Sequence, residues 1–285
     1  SGGVVSNPGD QGQPTQTDNP QIPCDRLAGN PIVYSTGNKV EFETDFSSSS
    51  EMGLYLSRTY NHFWTGTGIF GRHWLSNFDY SLTSSGGGAS ATNLWLQRPD
   101  GRRIKFIRKA NGRWDEDKAQ AIAYVTLAGN VYTHHAENGM VERYNLNGFV
   151  TRVANRQGVG WDFTYSNNYL QRVTHTSGRQ VQFTWTAGRL TRVTDPAGNQ
   201  YNYGYTVNAL GSGQHRLASV TLPGVPATTV QYHYEDHRFP GGLTGKSYNG
   251  IRYSSFAYDS NGRATLSEHA GGVDRYTFSY VLNQT

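Results

Sequence analysis

Cysteine, charge and long apolar runs are all scarce in this sequence. It has a single cysteine, Cys24, among 285 residues, so no disulfide can form within the chain, and we expect the thiol to be buried and reduced. No apolar run approaches the length needed to cross a bilayer, so we expect no membrane span. Charged residues make up 16% of the chain and hydrophobic residues 35%, both low for a globular protein.

Helical signals are missing too. No segment combines apolar residues at helical spacing with capping residues at its ends. The chain holds instead 34 Gly, 19 Tyr, 12 Phe and 6 Trp, and rings favour strands while glycine favours turns. The sequence therefore predicts an all-β protein of stacked antiparallel β-hairpins with little or no helix. Asn-Gly, the strongest short hairpin signal, occurs at 111–112, 138–139, 147–148, 249–250 and 261–262.

Patterns for catalysis and for nucleic-acid binding are also lacking. The sequence has no GxSxG elbow and no GxxxxGK[ST] loop, and Cys24 has no His/Asn arrangement around it that the sequence can place. The formal net charge of +4 is too diffuse for a nucleic-acid interface, which needs a clustered basic stripe. We expect no enzyme activity, no cofactor and no nucleic-acid partner.

Composition divides the chain into three parts. Residues 1–23 are rich in Gly, Pro, Gln and Asn and contain no aromatic residue, which predicts an extended or disordered linker or arm. Residues 24–140, the leading module, alternate irregular strand-like runs with turn signals. Residues 141–285 are predicted to be a repeat array of about six units with an uncapped C-terminal edge.

The repeat is a strand pattern, [V/Y/W]-x-[F/Y]-x-[Y/W], followed by turn residues. VQFTW shows its logic, since alternation puts Val181, Phe183 and Trp185 on one face of a strand. The aliphatic residues of the next segment, Leu190 and Val193, are three positions apart, so either a bulge lets them share a face or Val193 already begins the turn. Near-constant spacing of this size marks an array whose units bury their faces by stacking. The terminal ring recurs at Tyr165, Trp185, Tyr205, Tyr234, Tyr258 and Tyr280.

Several motifs together carry a family resemblance. Cys24 is followed by GNPIVYSTGNK (29–39), VEFETDF (40–46), LYLSRTYNH (54–62), GIFGRHW (68–74) and LQRPDGRRIKF (96–106). With the repeats behind them, these motifs resemble the YD-repeat proteins of the RHS family, a pattern shared with Tc-toxin cocoon subunits and teneurins.

This resemblance implies a β-sheet strip that winds as a spiral into a hollow shell. The implied role is non-catalytic: a secreted, extracellular or cell-surface structural protein that encloses or presents a C-terminal toxin domain as its partner. The family's self-cleaving C-terminal core is missing here. Asp195-Pro196-Ala197-Gly198 resembles part of that cleavage motif, but we predict an ordinary type I turn with Pro at its second position.

The predicted open edge suggests a second function. An uncapped β edge exposes unpaired N–H and C=O groups, which could be covered by the 1–23 arm of a neighbouring subunit. Head-to-tail addition of this kind builds filaments. The alternative function is therefore a self-assembling extracellular filament or adhesive surface protein.

Two side-chain clusters are candidate binding sites. Arg152, Arg172 and Arg192 recur every 20 residues and could form a basic ladder for an anionic glycan or an acidic passenger. Alternatively, each arginine packs its stem over a ring and meets a turn aspartate such as Asp195. His233, Glu235 and His237 have a spacing that could ligate a metal, although a solvated edge is the simpler interpretation and we expect no metal.

Overall fold

The computed structural model describes residues 27–28, 32–33 and 36–280. The predictions about the 1–23 arm and about Cys24 lie outside these residues. The all-β prediction is confirmed: the described residues form strands and two short 3-10 turns, Gly88–Ser90 and Ala270–Gly272, with no α-helix among them. No helix in this part of the chain is long and apolar enough to span a membrane.

The strands follow one another along the chain with short connections. They are β1 (Leu27–Ala28), β2 (Ile32–Val33), β3 (Asn38–Phe46), β4 (Leu56–Asn61), β5 (Thr67–Gly68), β6 (Gly71–Arg72), β7 (Trp74–Ser76), β8 (Ser81–Ser84), β9 (Asn93–Gln97), β10 (Arg103–Arg108), β11 (Trp114–Glu116), β12 (Tyr124–Ala128), β13 (Val131–His135), β14 (Val141–Tyr144), β15 (Val150–Ala154), β16 (Gly160–Ser166), β17 (Tyr169–His175), β18 (Gln180–Thr186), β19 (Arg189–Thr194), β20 (Gln200–Thr206), β21 (Arg216–Leu222), β22 (Thr228–His233), β23 (Gly245–Tyr248), β24 (Ile251–Tyr258), β25 (Ala264–His269) and β26 (Val273–Thr277).

Two antiparallel sheets make up the fold. The first, the leading sheet, has the strand order β1-β2-β3-β4-β7, and β5 and β6 form a separate two-stranded ribbon. The second, the repeat wall, pairs each strand from β8 to β26 with the next one along the chain. The wall thus begins at Ser81, inside the predicted leading module.

The wall also curls so that its first strand meets a later hairpin. Ser81 at the start of β8 forms a bridge with Phe149, and the Leu82 amide donates to the carbonyl of Gly148 at 3.0 Å. Gly148 has a φ of +83°, and a Cβ there would lie 1.9 Å from the Leu82 carbonyl oxygen. Only glycine fits both the turn and the close approach.

Within the repeats, the predicted alternation and one of the two alternatives for the next segment are confirmed. Val181 and Phe183 are buried, whereas Gln182 and Thr184 are exposed. The register of β18 with β19 shifts at Thr184/Trp185, so a β-bulge is present. The bulge adds one residue, Thr191, to β19. Positions 190 and 193 therefore point to the same side of the sheet although they are three apart, and Leu190 and Val193 are both fully buried there.

Successive hairpins are joined by a short ladder and one side-chain hydrogen bond. The β17–β18 ladder has three residue pairs and stops at Arg172–Gln182. Beyond that point the indole N–H of Trp185 donates to the carbonyl of Leu170 at 2.7 Å. The same bond, from a terminal ring to a carbonyl 15 to 17 residues earlier, is made by Tyr165 to Val150, Tyr205 to Leu190, Tyr234 to Leu217, Tyr258 to Leu243 and Tyr280 to Ala264.

The turns of the wall are of two kinds. At one edge, Asp195 accepts from Gly198 N at 2.9 Å and its carboxylate accepts from Ala197 N at 2.9 Å, which confirms a turn at DPAG. At the opposite edge, Asn167 and Asn168 have φ of +49° and +65°, as two-residue hairpin turns require. The opposite edge, where the terminal rings lie, is called the ring edge below.

The core lies between the wall and the leading sheet. The middle ring of each repeat, two residues before the terminal ring, contacts the N-terminal part of the chain. Phe183 packs edge-on to Phe78 with ring centroids 5.8 Å apart, and Tyr203 lies 4.7 Å from Phe70. Tyr232 lies 4.8 Å from Trp74. One face of the wall is thus buried by the leading sheet, through Trp74 of β7, and by the neighbouring turns that carry Phe70 and Phe78.

Removing one ring-to-carbonyl bond is expected to destabilise the wall. Tyr205→Phe keeps the ring but leaves the Leu190 carbonyl without its donor, which costs about 1–3 kcal/mol in unfolding free energy. Urea unfolding followed by circular dichroism measures the change. Tyr253→Phe, at a ring that is 41% exposed, is the control and should change stability by less than about 0.5 kcal/mol. Equal losses in both variants would contradict a special role for the bond.

Candidate functional site

The row of charges between the leading sheet and the wall is the most distinctive polar feature of the described residues. Alternation along β3 puts Lys39, Glu41, Glu43 and Asp45 on one face of the strand, toward the wall. Lys39 Nζ lies 2.8 Å from Glu41 Oε2 and 3.6 Å above the centre of the Phe256 ring. We call this row and its partners the ionic seam.

Lys246 of β23 connects the seam to the wall. Its Nζ lies 2.7 Å from Glu41 Oε1 and 3.1 Å from Glu43 Oε1. Burial alone would raise the pKa of Glu41, but the two ammonium groups beside it lower that pKa below its usual value. Burial lowers the pKa of Lys39 to about 8. Glu41 is therefore ionised at neutral pH and joins two elements that lie 205 positions apart.

Arg58 of β4 forms the other half of the seam. Its side chain is 2% exposed and that of Asp45 1%, and two hydrogen bonds of 2.8 Å join the guanidinium to the carboxylate. Arg58 also donates to the Tyr232 hydroxyl at 3.0 Å, and the Tyr203 hydroxyl donates to Asp45 at 2.7 Å. One buried ion pair thus holds two consecutive repeats against the leading sheet.

Another buried carboxylate, that of Glu142, anchors the first repeat. Arg98 makes two hydrogen bonds of 2.6 Å to Glu142, and the Tyr144 hydroxyl donates to the same carboxylate at 2.7 Å. His134 Nδ1 lies 3.1 Å from it. Burial would raise the pKa of Glu142, but Arg98 more than offsets this and lowers it far below its usual value.

The predicted basic ladder lies on the face of the wall that points away from the leading sheet. Arg172 and Arg192 are exposed, whereas Arg152 is half-buried. Arg152 pairs with Asp162 at 3.0 Å, and Arg192 Nε donates to Asn202 at 3.0 Å. Asp195 bonds instead to its own turn and to the Tyr201 hydroxyl. A binding role for the ladder stays a prediction.

The candidate metal ligands do not lie along one strand. β22 ends at His233, so Glu235 and His237 follow it in a loop. His233 Nε2 lies 2.7 Å from Ser247 Oγ, and Glu235 pairs with Arg252 at 2.9 Å. Among the described residues, no group of three or more His, Cys, Asp or Glu side chains is placed to hold a metal ion.

Two histidines that the sequence did not single out lie at the junction of the leading sheet and the last repeats. His73 Nδ1 lies 2.7 Å from the Trp64 carbonyl oxygen, and the His62 ring lies 4.6 Å from that of Tyr258. Burial lowers the pKa of His62 to about 4 and that of His73 to about 3. Both are therefore neutral in the folded protein at neutral pH.

Loss of Arg58 is expected to destabilise the fold at the ionic seam. Arg58→Ala leaves the Asp45 carboxylate buried and uncompensated, which costs about 3–5 kcal/mol. Urea unfolding measures the loss, and Arg172→Ala on the exposed face is the control, with an expected change within about 0.5 kcal/mol. A cost below about 1 kcal/mol for Arg58→Ala would show that the pair does not hold the sheets together.

The buried histidines are expected to make the fold sensitive to acid. In the unfolded chain they protonate near pH 6.5, and in the folded chain only near pH 4 and 3, so unfolding takes up protons between these values. The stability they contribute is complete above about pH 6.5 and falls with pH below it, by up to about 1.4 kcal/mol per pH unit for each histidine. Urea unfolding at pH 7.5, 6.0 and 5.0 measures this slope.

Replacement of both histidines isolates their share of that slope. The double variant His62→Gln with His73→Asn should lose less stability between pH 7.5 and 5.0 than the unmodified chain does; asparagine tolerates the φ of +65° at position 73. His237→Gln, in an exposed loop, is the control and should leave the slope unchanged. An unchanged slope in the double variant would refute the assignment.

Comparison with known proteins agrees with this layout. Residues 29–106 match DUF6531, a domain of unknown function, and these residues include β2 to β9 and the first part of β10. Residues 166–200 match the RHS repeat, which contains β17, β18 and β19 with their turns. The matched repeat thus holds one complete ring-to-carbonyl bond.

Two individual proteins show similarity over parts of their length. The tRNA3(Ser)-specific nuclease WapA of Bacillus spizizenii is 34% identical over 94 residues, which is 33% of this chain and 4% of that protein. The chain therefore spans a small fraction of that relative. A solved porin-like protein from Bacteroides uniformis aligns over 67% of this chain and 92% of its own, with 14% identity and a TM-score of 0.32, which is too low to indicate a shared fold.

Proposed function

We propose that this chain, whose residues 29–106 match DUF6531 and whose residues 166–200 match the RHS repeat, is a non-catalytic wall segment of an RHS-type protein, with its inner face sealed by its own leading sheet and the turns beside that sheet. The observation that carries the proposal is the packing of successive middle rings on that sheet and on the turns beside it. Phe183, Tyr203 and Tyr232 each contact a different ring of residues 70–78.

A sealed inner face makes this stretch the closed end of a shell. A shell wall needs one face free toward its contents, but here that face is filled by apolar packing and by the ionic seam. Contents can therefore lie only further along the wall. We infer that the wall continues in the full-length protein around a toxin or effector domain, outside the producing cell or at its surface.

The rigidity of the seam suits this role. Buried ion pairs stabilise little compared with apolar packing, but breaking one is costly. The Tyr232 and Tyr203 hydroxyls bond to the Arg58–Asp45 pair of the leading sheet, and Lys246 pairs with Glu41. These contacts therefore favour one arrangement of the two sheets over any slipped one. A seal held in one register keeps an enclosed domain from escaping past it.

The relative named as a nuclease fits the same proposal. The matched stretch makes up 4% of that protein, and the described residues of this chain present no cluster of His, Cys, Asp and Glu that could hold a metal ion. We infer that the shared stretch supplies structure, and that any toxic activity of such proteins belongs to another part of their chains.

Protease protection tests the sealed-end function in the full-length gene product. Limited trypsin digestion should leave the segment that follows the repeats intact in the native protein, while Arg58→Ala should expose it at the same protease concentration. Arg172→Ala is the matched control and should protect as well as the native protein. Rapid cleavage of the downstream segment in the native protein would overturn the proposal.

Imaging of the chain tests the filament alternative. Negative-stain electron microscopy at several concentrations, with light-scattering mass, should show discrete particles if the chain is a wall segment. Regular filaments that lengthen with concentration would mean that strand addition at an open edge is the function, and the sealed-end proposal would then be wrong.

A further inference from the structure

A cavity of about 650 Å³ lies at the ring edge of the wall. One side is formed by residues 64–81 of the leading module, and the other by the hairpin turns that follow β16 and β18. The volume falls within the range of small-molecule binding sites, about 300–1,000 Å³. The cavity does not belong to the ionic seam, and nothing in the proposed wall function requires it.

The architecture of the repeats explains why space is left here. Between hairpins the backbone ladder stops after three pairs, so the neighbouring strands are not paired at this edge. The terminal rings Tyr165, Trp185 and Tyr205 line the space. Their polar atoms are already bonded to the carbonyls of Val150, Leu170 and Leu190. The ring positions are therefore fixed without any ligand.

Further rings extend this apolar lining. Trp64 from the leading module lies on the opposite side of the cavity, with its indole N–H bonded to Gln97 at 3.3 Å. Tyr169 packs beside Trp185 with centroids 4.9 Å apart and is 36% exposed. A bound molecule would meet ring surfaces from two sides, an arrangement that suits a flat, partly apolar ligand.

A few polar groups share the cavity with these rings. The Asp79 carboxylate is held in place by the amides of Ile69 at 3.1 Å and Ser76 at 2.6 Å. Arg189 is half-buried and donates to the Ala187 carbonyl at 3.3 Å, and the side chains of Asn167 and Asn168 are exposed at the rim. One carboxylate and one guanidinium cancel in charge, and the amides both donate and accept.

We propose that this cavity binds a short neutral oligosaccharide. Sugar rings present C–H faces that pack on aromatic rings and hydroxyl groups that both donate and accept hydrogen bonds, which matches the mixture of rings, amides, Asp79 and Arg189. A polyanion such as single-stranded nucleic acid would need a basic groove, whereas the charges here balance. A peptide bound by strand addition would need free backbone groups along a strand, but β17, β18 and β19 pair on both sides over part of their length, and where the ladder stops the Leu170 and Leu190 carbonyls already accept from terminal rings.

Titration calorimetry with defined probes tests the site. The probes are the tetrasaccharides of β-1,4-linked N-acetylglucosamine, β-1,4-linked glucose and α-1,4-linked glucose, with an alanine tetrapeptide as the competing class. At least one tetrasaccharide should bind the unmodified chain. Arg189→Ala should weaken that binding about tenfold or more, because it removes a charged hydrogen-bond donor.

Two further variants make the result interpretable. Arg192→Ala changes the same residue type three positions away on the outward face and should leave affinity within about twofold. Asn168→Gly keeps the left-handed turn, removes one rim amide and should weaken binding without loss of folding, as checked by circular dichroism. The proposal is wrong if no tetrasaccharide binds, if Arg189→Ala and Asn168→Gly both bind like the unmodified chain, or if the tetrapeptide binds in place of the sugars.

Discussion

The hydrogen bond from each terminal ring to a carbonyl of the preceding hairpin is the constraint on which the rest of the wall depends. Trp185 makes it to Leu170, and the other terminal rings make its equivalent. It lets the backbone ladder stop early without leaving a buried carbonyl unpaired, a state that proteins rarely tolerate. With the terminal ring fixed, the residue two positions earlier must point to the same side. That residue is the middle ring, which packs on the leading sheet or on the turns beside it.

The leading sheet and the turns beside it contact this row of rings with both apolar and charged groups. Phe70, Trp74 and Phe78 pack against middle rings. The buried charges are paired: Glu41 with Lys39 and Lys246, and Arg58 with Asp45. Apolar contacts alone would tolerate a slip by one repeat, since neighbouring repeats look alike. Charge pairing makes one register more stable than the others, because only one repeat carries a lysine, Lys246, that can pair with Glu41.

The sequence was informative wherever the signal was local. Alternation in VQFTW predicted the burial of Val181 and Phe183. The three-residue spacing of Leu190 and Val193 suggested a β-bulge as one of two alternatives, and the register shift shows that bulge. Tyr144, the first ring of the array, was missed because its strand VERY is too short for the full pattern. The pairing of Lys246 with Glu41 gave no signal, because partners 205 positions apart share no local pattern. The cavity was missed for the same reason.

The bulge also decides where the wall can change its length. Four of the ring-to-carbonyl bonds span 15 residues, and the bond from Tyr234 to Leu217 spans 17, although the terminal rings of that repeat are 29 positions apart. Of the nine extra residues, seven lie in the loop between β20 and β21, outside the bonded span, and two lie within it. Insertions are thus absorbed at the edges of the sheet, while the spacing from bulge to ring stays nearly constant. The wall can therefore accommodate longer loops at its edges while the bonds between neighbouring hairpins are kept.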